Sequence, residues 1–183
     1  MIFTLLPLQG AYIIEPEVYQ DERGSFYRFF CNDEFKQIGH NKPWIQLNHS
    51  HTKSKGTVRG LHFQLPPDGE IKMVKCITGK ILDVIVDLRI GSSTFLRWTG
   101  VEISAEDRRM IYIPEGFAHG FQTLTDDSEL IYHHSTAYIK NSEGGIRFDD
   151  PLININWPLP PLHISVRDRL FPLITNQFRG IKV

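Results

Sequence analysis

The sequence Ile81-Leu82-Asp83-Val84-Ile85-Val86-Asp87-Leu88 decides the fold class of this chain. It is rich in β-branched residues and ends shortly before the turn signal Gly91-Ser92-Ser93, which is typical of a buried strand. Further short apolar runs on either side are broken by Gly, Pro, Asn and Asp. They cover residues 10–14, 25–30, 58–64, 72–78, 97–103, 110–113, 117–123 and 129–136. Many short strands at regular spacing predict an all-β sandwich or barrel.

Helical patterning is scarce. Residues 32–38 predict one short helix, with Asn32 as its N-cap and Gly39 after its end. The first ten residues lack a positively charged segment and are predicted to form a strand, not a signal peptide. The Pro-rich stretch 149–162 is predicted to wrap over the barrel in an ordered way, because several apolar side chains there need burial. These side chains are Leu152, Ile153, Ile155 and Trp157.

Size and composition indicate one soluble domain over residues 1–183, with the C-terminal wrap at about 149–183. Hydrophobic residues make up 41% and charged residues 22%, as is usual for globular proteins. The net charge is −1 without a basic stripe, which argues against a nucleic-acid-binding protein. No apolar stretch approaches the roughly 20 residues needed to cross a bilayer. Cys31 and Cys76 form no CxxC pair, so a reducing, cytoplasmic location is expected.

Two histidines stand out in the predicted strands. Alternation places His62 and Gln64 on one face of strand 58–64, and this polar face either lines a cavity or meets solvent. His119 lies between Gly116 and Gly120 in an aromatic strand. Glycine in a strand often marks the close approach of a ligand or of another backbone. The alternative for His119 is a satisfied core histidine.

Three other polar residues are candidates for the functional site, and each also has a simple structural explanation. Lys72 shares a face with Val74 and Cys76, and an inward lysine would need a partner or a task. Tyr132 is either a functional phenol or a core aromatic with its hydroxyl at the rim. Asp168 lies between two arginines, which by itself is typical of a surface ion-pair cluster of little energetic weight.

The order of these segments resembles the dTDP-4-dehydrorhamnose 3,5-epimerase family. The resemblance runs from about Tyr12 to about Leu173. Its blocks, in chain order, are Asp21-Glu22-Arg23-Gly24, Gln46-Leu47-Asn48-His49-Ser50, Arg59-Gly60-Leu61-His62-Phe63-Gln64, Lys72, Asp83-Val84-Ile85-Val86-Asp87-Leu88-Arg89, Pro114-Glu115-Gly116-Phe117-Ala118-His119-Gly120-Phe121, Tyr132, Asp149-Asp150-Pro151, Trp157-Pro158 and Ser165-Val166-Arg167-Asp168.

The resemblance implies a cupin-type (jelly-roll) β-barrel and a homodimer with strands exchanged near the N-terminus. It implies a dTDP-4-keto-6-deoxy-hexose substrate, with no cofactor and no metal. His62 would be the base, Asp168 its carboxylate partner and Tyr132 the acid on the opposite face. Lys72, helped by His119, would stabilise the enolate, since positive charge placed there is often the largest catalytic contribution.

The resemblance also implies a set of substrate-binding residues. Arg59, with Arg23 of the neighbouring subunit, would hold the diphosphate, because arginine binds phosphate oxygens in pairs. Gln46 and Asn48 would line the sugar and phosphate site, and Phe26 would lie near the nucleotide base. The chain departs from the family at Arg28, where many members carry glutamate. It also departs after Tyr132, where we assign no role to His133 and His134.

Three alternatives to a double epimerase stay open. One is a single-centre 3- or 5-epimerase acting on a related nucleotide sugar. Another is a metal-dependent cupin with His62, Glu70 and His119 as ligands, although Gln64 occupies the place where a second histidine is expected. The last is a sugar-binding module without catalysis, for which both an acid and a base would be unnecessary.

Overall fold

Thirteen strands make up most of the structure, a computed structural model that describes residues 1–183. They are β1 (Ile2–Leu5), β2 (Tyr12–Glu15), β3 (Val18–Asp21), β4 (Gly24–Tyr27), β5 (Gln46–Thr52), β6 (Val58–Gln64), β7 (Lys72–Thr78), β8 (Lys80–Asp87), β9 (Trp98–Ser104), β10 (Met110–Ile113), β11 (Phe117–Thr123), β12 (Ser128–His134) and β13 (Glu143–Gly145). Two α-helices are short, α1 (Asn32–Phe35) and α2 (Val166–Leu170). None of the helices is both long enough and apolar enough to span a lipid bilayer.

The strands form two antiparallel sheets that face each other across a shared core. One sheet has the order β1-β2-β10-β7-β12-β5 and the other the order β13-β6-β11-β8-β9, while β3 and β4 form a separate hairpin. Val74 and Ile111 of the first sheet and Ile85 and Phe121 of the second belong to the same buried cluster. This arrangement is the predicted jelly-roll barrel, in which the inner faces of both sheets are apolar over most of their length.

Each sheet is also covered on its outer face. Phe35 of α1 packs against Met73 and Met110 on the outside of the six-stranded sheet. The C-terminal wrap covers the five-stranded sheet through Ile153, with Trp157 packed beside it. Between the sheets, polar side chains gather at one end of the enclosed space.

The wrap differs from the prediction at one residue. Ile153 is buried and Ile155 and Trp157 pack against the same cluster, but Leu152 is 52% exposed. The chain turns sharply here, because the Asp150 carboxylate accepts hydrogen bonds from the backbone N–H groups of Leu152 and Ile153. The turn directs Leu152 outwards, so its expected burial was wrong.

The sequence pattern located most strands within two residues and missed others. The run 25–30 ends as a strand at Tyr27. The predicted helix 32–38 continues after Phe35 as a 3₁₀ turn, and its N-cap is Cys31, not Asn32. Strands β3, β5 and β13 and helix α2 were not predicted. In β5 the inward side chains are polar, so the apolar alternation that identifies a half-buried strand is absent.

Candidate active site

A cavity of about 520 Å³ opens between the two sheets at the polar end of the barrel. Strands β6 and β11 contribute its floor from one sheet, and β5, β7 and β12 contribute the opposite wall. The side chains and backbone that line it belong to Leu47, Asn48, His49, Ser50, Arg59, His62, Lys72, His119, Gly120, Phe121, Tyr132, His134 and Arg167. The cavity therefore brings together most of the residues that the sequence singled out.

His62 is paired with a carboxylate that comes from a distant part of the chain. Its Nε2 lies 2.8 Å from Oδ1 of Asp168, which is 106 residues later. Burial alone would raise the pKa of Asp168, but hydrogen bonds from His62, Gly60 and Ser165 and the attraction of the imidazole hold that pKa below its ordinary value. The ionised Asp168 accepts a hydrogen bond from His62 only when Nε2 carries a proton, and in that tautomer Nδ1 is the nitrogen that is free to accept a proton.

Local geometry explains how Asp168 reaches His62. Ser165 is the N-cap of α2, and its hydroxyl accepts a hydrogen bond from the backbone N–H of Asp168 at 3.0 Å. The backbone N–H of Gly60 donates to the other carboxylate oxygen at 3.3 Å. Gly60 has φ +128° and lies against Gly120 of β11, where an added Cβ would come within 2.5 Å of the Gly120 Cα. Gly120, beside His119, therefore marks the close approach of another backbone. This is one of the two explanations that the sequence allowed for a glycine in this strand.

Lys72 points into the cavity with its charge paired. Its side chain is 9% exposed, and Nζ lies 2.9 Å from Oε1 of Glu70, a carboxylate that is equally buried. Nζ also lies 3.5 Å from the carbonyl oxygen of His62 in the facing sheet. A buried ammonium needs such a counter-charge, and the contact with the His62 carbonyl places this positive charge near that histidine.

Tyr132 faces the cavity from β12. Its hydroxyl hydrogen-bonds Ser50 Oγ at 3.0 Å, because Ser50 and Tyr132 lie on the inward faces of paired strands. Burial raises the pKa of Tyr132 far above its usual value, and the bond with Ser50 offsets only part of this effect. The phenol is thus protonated at neutral pH and can act as a proton donor.

His119 has a carboxylate partner that the sequence analysis did not identify. Its Nε2 lies 2.9 Å from Oδ2 of Asp83, and Asp83 is fully buried. His119 is the register neighbour of His62, and its ring lies 6.3 Å from that of Tyr132. The signal for Asp83 was present, since a charged residue inside the apolar run of β8 must be paired when buried.

A second depression of about 530 Å³ adjoins the cavity and shares Arg59, His62 and Arg167 with it. Lys53, His51 and His163 add to its polar lining. The sequence alone assigns Arg167 no role beyond a surface ion-pair cluster. In the structure its guanidinium lies 3.1 Å from His62 Nε2 and 2.9 Å from Glu143. The depression is thus cationic and continuous with the site, as a channel for an anionic group needs to be.

Gln46 and Asn48 lie on β5 at the edge of the cavity. The Gln46 side-chain amide donates to Oδ1 of Asn48 at 3.1 Å, and Asn48 Nδ2 lies 3.2 Å from His134 Nε2. Both amides face the same compartment as Lys72 and His62. The structure thus places both amides beside Lys72 and His62, and their contact with sugar or phosphate stays a prediction.

Arg23 and Phe26 are not part of this cavity within one chain. They lie on the β3–β4 hairpin, where Phe26 is 71% exposed and Arg23 pairs with Asp21 at 2.5 Å. The hairpin, which includes Tyr19, lines a separate depression. Their predicted contact with the nucleotide would therefore come from a neighbouring subunit, as the sequence analysis expected for Arg23.

The three residues considered as metal ligands do not converge. His62 contacts Asp168, and His119 contacts Asp83. Glu70 contacts Lys72 and His134. No group of three or more His, Cys, Asp or Glu side chains is arranged to hold a metal ion.

Comparison with known proteins identifies close relatives. The family model described as dTDP-4-dehydrorhamnose 3,5-epimerase matches residues 5–176. The dTDP-4-dehydrorhamnose 3,5-epimerase of Salmonella typhimurium is 42% identical over 176 residues, which are 95% of this chain and 96% of the relative.

Two solved structures have the same fold. One is a dTDP-6-deoxy-D-glucose-3,5-epimerase from Legionella pneumophila in complex with dTDP-4-keto-L-rhamnose, with a TM-score of 0.89, 37% identity and coverage of 94% of this chain and 92% of that one. The other is a 3'-monoepimerase from Streptomyces bikiniensis in complex with dTDP-quinovose, with a TM-score of 0.86, 37% identity and coverage of 93% and 86%.

Proposed function

The chain belongs to the dTDP-4-dehydrorhamnose 3,5-epimerase family, and on that premise we propose that it converts dTDP-4-dehydro-6-deoxy-D-glucose to dTDP-4-dehydro-L-rhamnose. It is an isomerase with a cupin-type fold. The single observation that carries the residue assignment is that a histidine–carboxylate pair and a protonated tyrosine line one cavity from opposite sheets.

His62 begins the reaction. The C4 ketone of the substrate acidifies the C–H bonds at C3 and C5, and Nδ1 of His62 accepts the proton from each carbon in turn. Asp168 holds the ring in the required tautomer and stabilises the imidazolium that forms. The ketone itself accepts the electron pair of the broken C–H bond, so this chain's residues need only move protons and stabilise the enolate.

Lys72 and His119 stabilise the enolate oxygen. Lys72 supplies a buried positive charge on the wall that faces His62. His119 is held by Asp83 and lies near Tyr132. One well-placed donor of this kind is worth roughly 3–4 kcal/mol in the transition state.

Tyr132 completes each inversion by donating its phenolic proton to the carbon from the face opposite His62. The imidazolium then releases its proton to solvent and the phenolate takes up a solvent proton, so both groups are reset for the second carbon. Arg59 and the cationic depression beside it bind the diphosphate. Binding of this distant group holds the sugar in a reactive position. A rhamnose-type nucleotide sugar is the product of these steps.

We infer that the active enzyme is a homodimer in which strands near the N-terminus are exchanged. The β3–β4 hairpin supports this, because Tyr19 and Phe26 are 59% and 71% exposed on a ribbon outside both sheets. A two-stranded ribbon without further partners is only marginally stable in water. In the dimer, Arg23 and Phe26 reach the partner's diphosphate and nucleotide base. The two free cysteines suit a cytoplasmic location.

The proposed activity predicts isotope exchange at two carbons. Incubation of the purified protein with dTDP-4-keto-6-deoxy-glucose in deuterated water should place deuterium at both C3 and C5, as followed by NMR. Deuterium at only one carbon would indicate a single-centre epimerase, the activity of the Streptomyces bikiniensis relative. No exchange at either carbon would exclude this substrate.

A site shared between subunits predicts that two inactive variants restore each other. His62→Ala removes the base and Arg23→Ala removes the diphosphate contact in the partner's site. Mixed dimers of the two variants contain one site with both residues intact, so co-expression should restore activity at about a quarter of all sites.

The matched control is His62→Ala mixed with Arg59→Ala. Both substitutions then affect residues of the same chain's cavity, and every mixed dimer has one lesion in each site. This mixture should stay inactive. Restored activity in the control mixture would contradict the exchange of strands between subunits. Absence of restored activity in the mixture with Arg23→Ala would contradict it as well.

A further inference from the structure

A continuous hydrogen-bond chain crosses three strands on the inner wall of the cavity and ends at Lys72. Oε1 of Gln46 accepts from the backbone N–H of Tyr138 at 2.9 Å, and Nε2 of Gln46 donates to Asn48 at 3.1 Å. Asn48 Nδ2 lies 3.2 Å from Nε2 of His134, and Nδ1 of His134 lies 2.7 Å from Oε2 of Glu70. The other oxygen of Glu70 contacts the Lys72 ammonium at 2.9 Å.

The hydrogen bonds along this series of side chains can be donated in only one consistent direction. Because Gln46 uses its oxygen to accept from Tyr138, it must donate through Nε2, and Asn48 must accept through its oxygen. Asn48 then donates through Nδ2, so Nε2 of His134 carries a lone pair. The proton of the neutral ring lies on Nδ1 and points at Glu70.

Strand register brings these groups together. His134 of β12 is paired with Gln46 of β5 on one side and with Lys72 of β7 on the other. Side chains directly opposite each other in a sheet contact one another. Glu70 lies on the loop before β7, so strand geometry does not hold its side chain, and His134 anchors it.

The electrostatics of Glu70 agree with this geometry. Burial alone would raise the pKa of Glu70, but the hydrogen bond from His134 and the charge of Lys72 lower it overall. Glu70 is therefore ionised, and its two oxygens are divided between Lys72 and His134.

We propose that Glu70 and His134, neither of which has a role in the proposed reaction so far, are positioning residues that hold the Lys72 ammonium at the enolate oxygen. This inference rests on the proposed function. Lysine has a flexible side chain, and a catalytic group displaced by about 1 Å can lose on the order of 100-fold in rate. Glu70 fixes the ammonium, and the ring of His134 fixes Glu70.

The test separates the hydrogen-bonding role of His134 from its size. In His134→Leu and in Glu70→Gln, kcat for exchange at C3 and C5 should fall about 10- to 100-fold, with KM changed less than about threefold. His134→Asn should keep kcat within about threefold of the wild type, because the asparagine amide can donate to Glu70 from the place of Nδ1. The double variant should be no slower than the slower single variant, since both residues act through Lys72.

The matched control is His133→Asn, on the opposite face of the same strand. His133 packs against Phe29 and Trp44 outside the barrel, so this change should leave kcat unchanged. A folded His134→Leu variant with wild-type kcat would overturn the proposal. Equal losses in His134→Asn and His134→Leu would overturn it as well, because they would assign only packing to the ring.

A second measurement does not depend on turnover. Nitrogen-15 shifts of the His134 ring in the free protein should identify the neutral tautomer with the proton on Nδ1. A neutral ring with its proton on Nε2 would overturn the proposed hydrogen-bond chain, whatever the activity of the protein. If the wild type shows no exchange with the proposed substrate, the proposed function fails, and an Nδ1–H ring would still support the chain to Lys72.

Discussion

Replacing His62 with alanine is expected to lower exchange at both C3 and C5 by about 100- to 10,000-fold, the contribution typical of a general base. The reason is that no second base has a comparable position. His119 is engaged by Asp83 through its Nε2, while His134 is directed at Glu70. Exchange is measured by NMR in deuterated water, which reports proton removal even where no net inversion occurs.

Two controls sharpen this result. The His62 side chain is 26% exposed, so its truncation should leave the thermal unfolding curve close to that of the wild type. Asp168→Asn keeps the imidazole but removes the charge that orders it, and it should lower both exchange rates by a smaller factor than His62→Ala. Retained exchange at either carbon in His62→Ala would remove His62 from that proton transfer.

Replacing Tyr132 with phenylalanine is expected to separate inversion from exchange. The ring that packs against the core remains, but the donor on the far side of the sugar is lost. Inversion at C3 and C5 should slow by about 100-fold or more. Exchange through His62 should persist, because proton removal and return from the same face need no phenol. Comparing product formation with deuterium content of the recovered substrate measures the two rates separately.

The matched control for Tyr132 is Ser50→Ala. It removes the hydrogen bond to the phenol but leaves the phenol itself, so inversion should be much less affected than in Tyr132→Phe. Equal rates of inversion in Tyr132→Phe and in the wild type would make Tyr132 a packing residue only.

Much of the barrel was predictable because its strands carry a strong local signal. In β8 the β-branched run predicted the strand directly. In β6 the alternation placed His62 and Gln64 on one face, but it did not decide whether that face lines a cavity or meets solvent. Lys72 was identified correctly as sharing a face with Val74, because alternation is a property of the backbone. The roles of these residues came from the order of motifs and from no single pattern.

Other parts of the site have no local signal. β5 has the sequence QLNHSHT, in which Leu47 is the only apolar residue, so neither its strand nor the contact of Asn48 with His134 follows from periodicity. The pairing of Glu70 with His134 spans 64 residues and depends on the register of β7 with β12. The register between two strands is set when the sheet assembles, so the sequence of one strand alone does not specify it.

Asp168 lies on a helix outside the barrel, so the His62–Asp168 pair is completed late during synthesis of the chain. Strands β1 to β12 are complete by His134, whereas the carboxylate partner of His62 lies 34 positions further along, on a helix that the wrap carries back to β6. Domains begin to fold while the chain is still being synthesised. The barrel can therefore close around a cavity whose histidine still lacks its carboxylate. In that order of events the nascent chain is structured before Asp168 holds the His62 ring, and the final segment completes the pair.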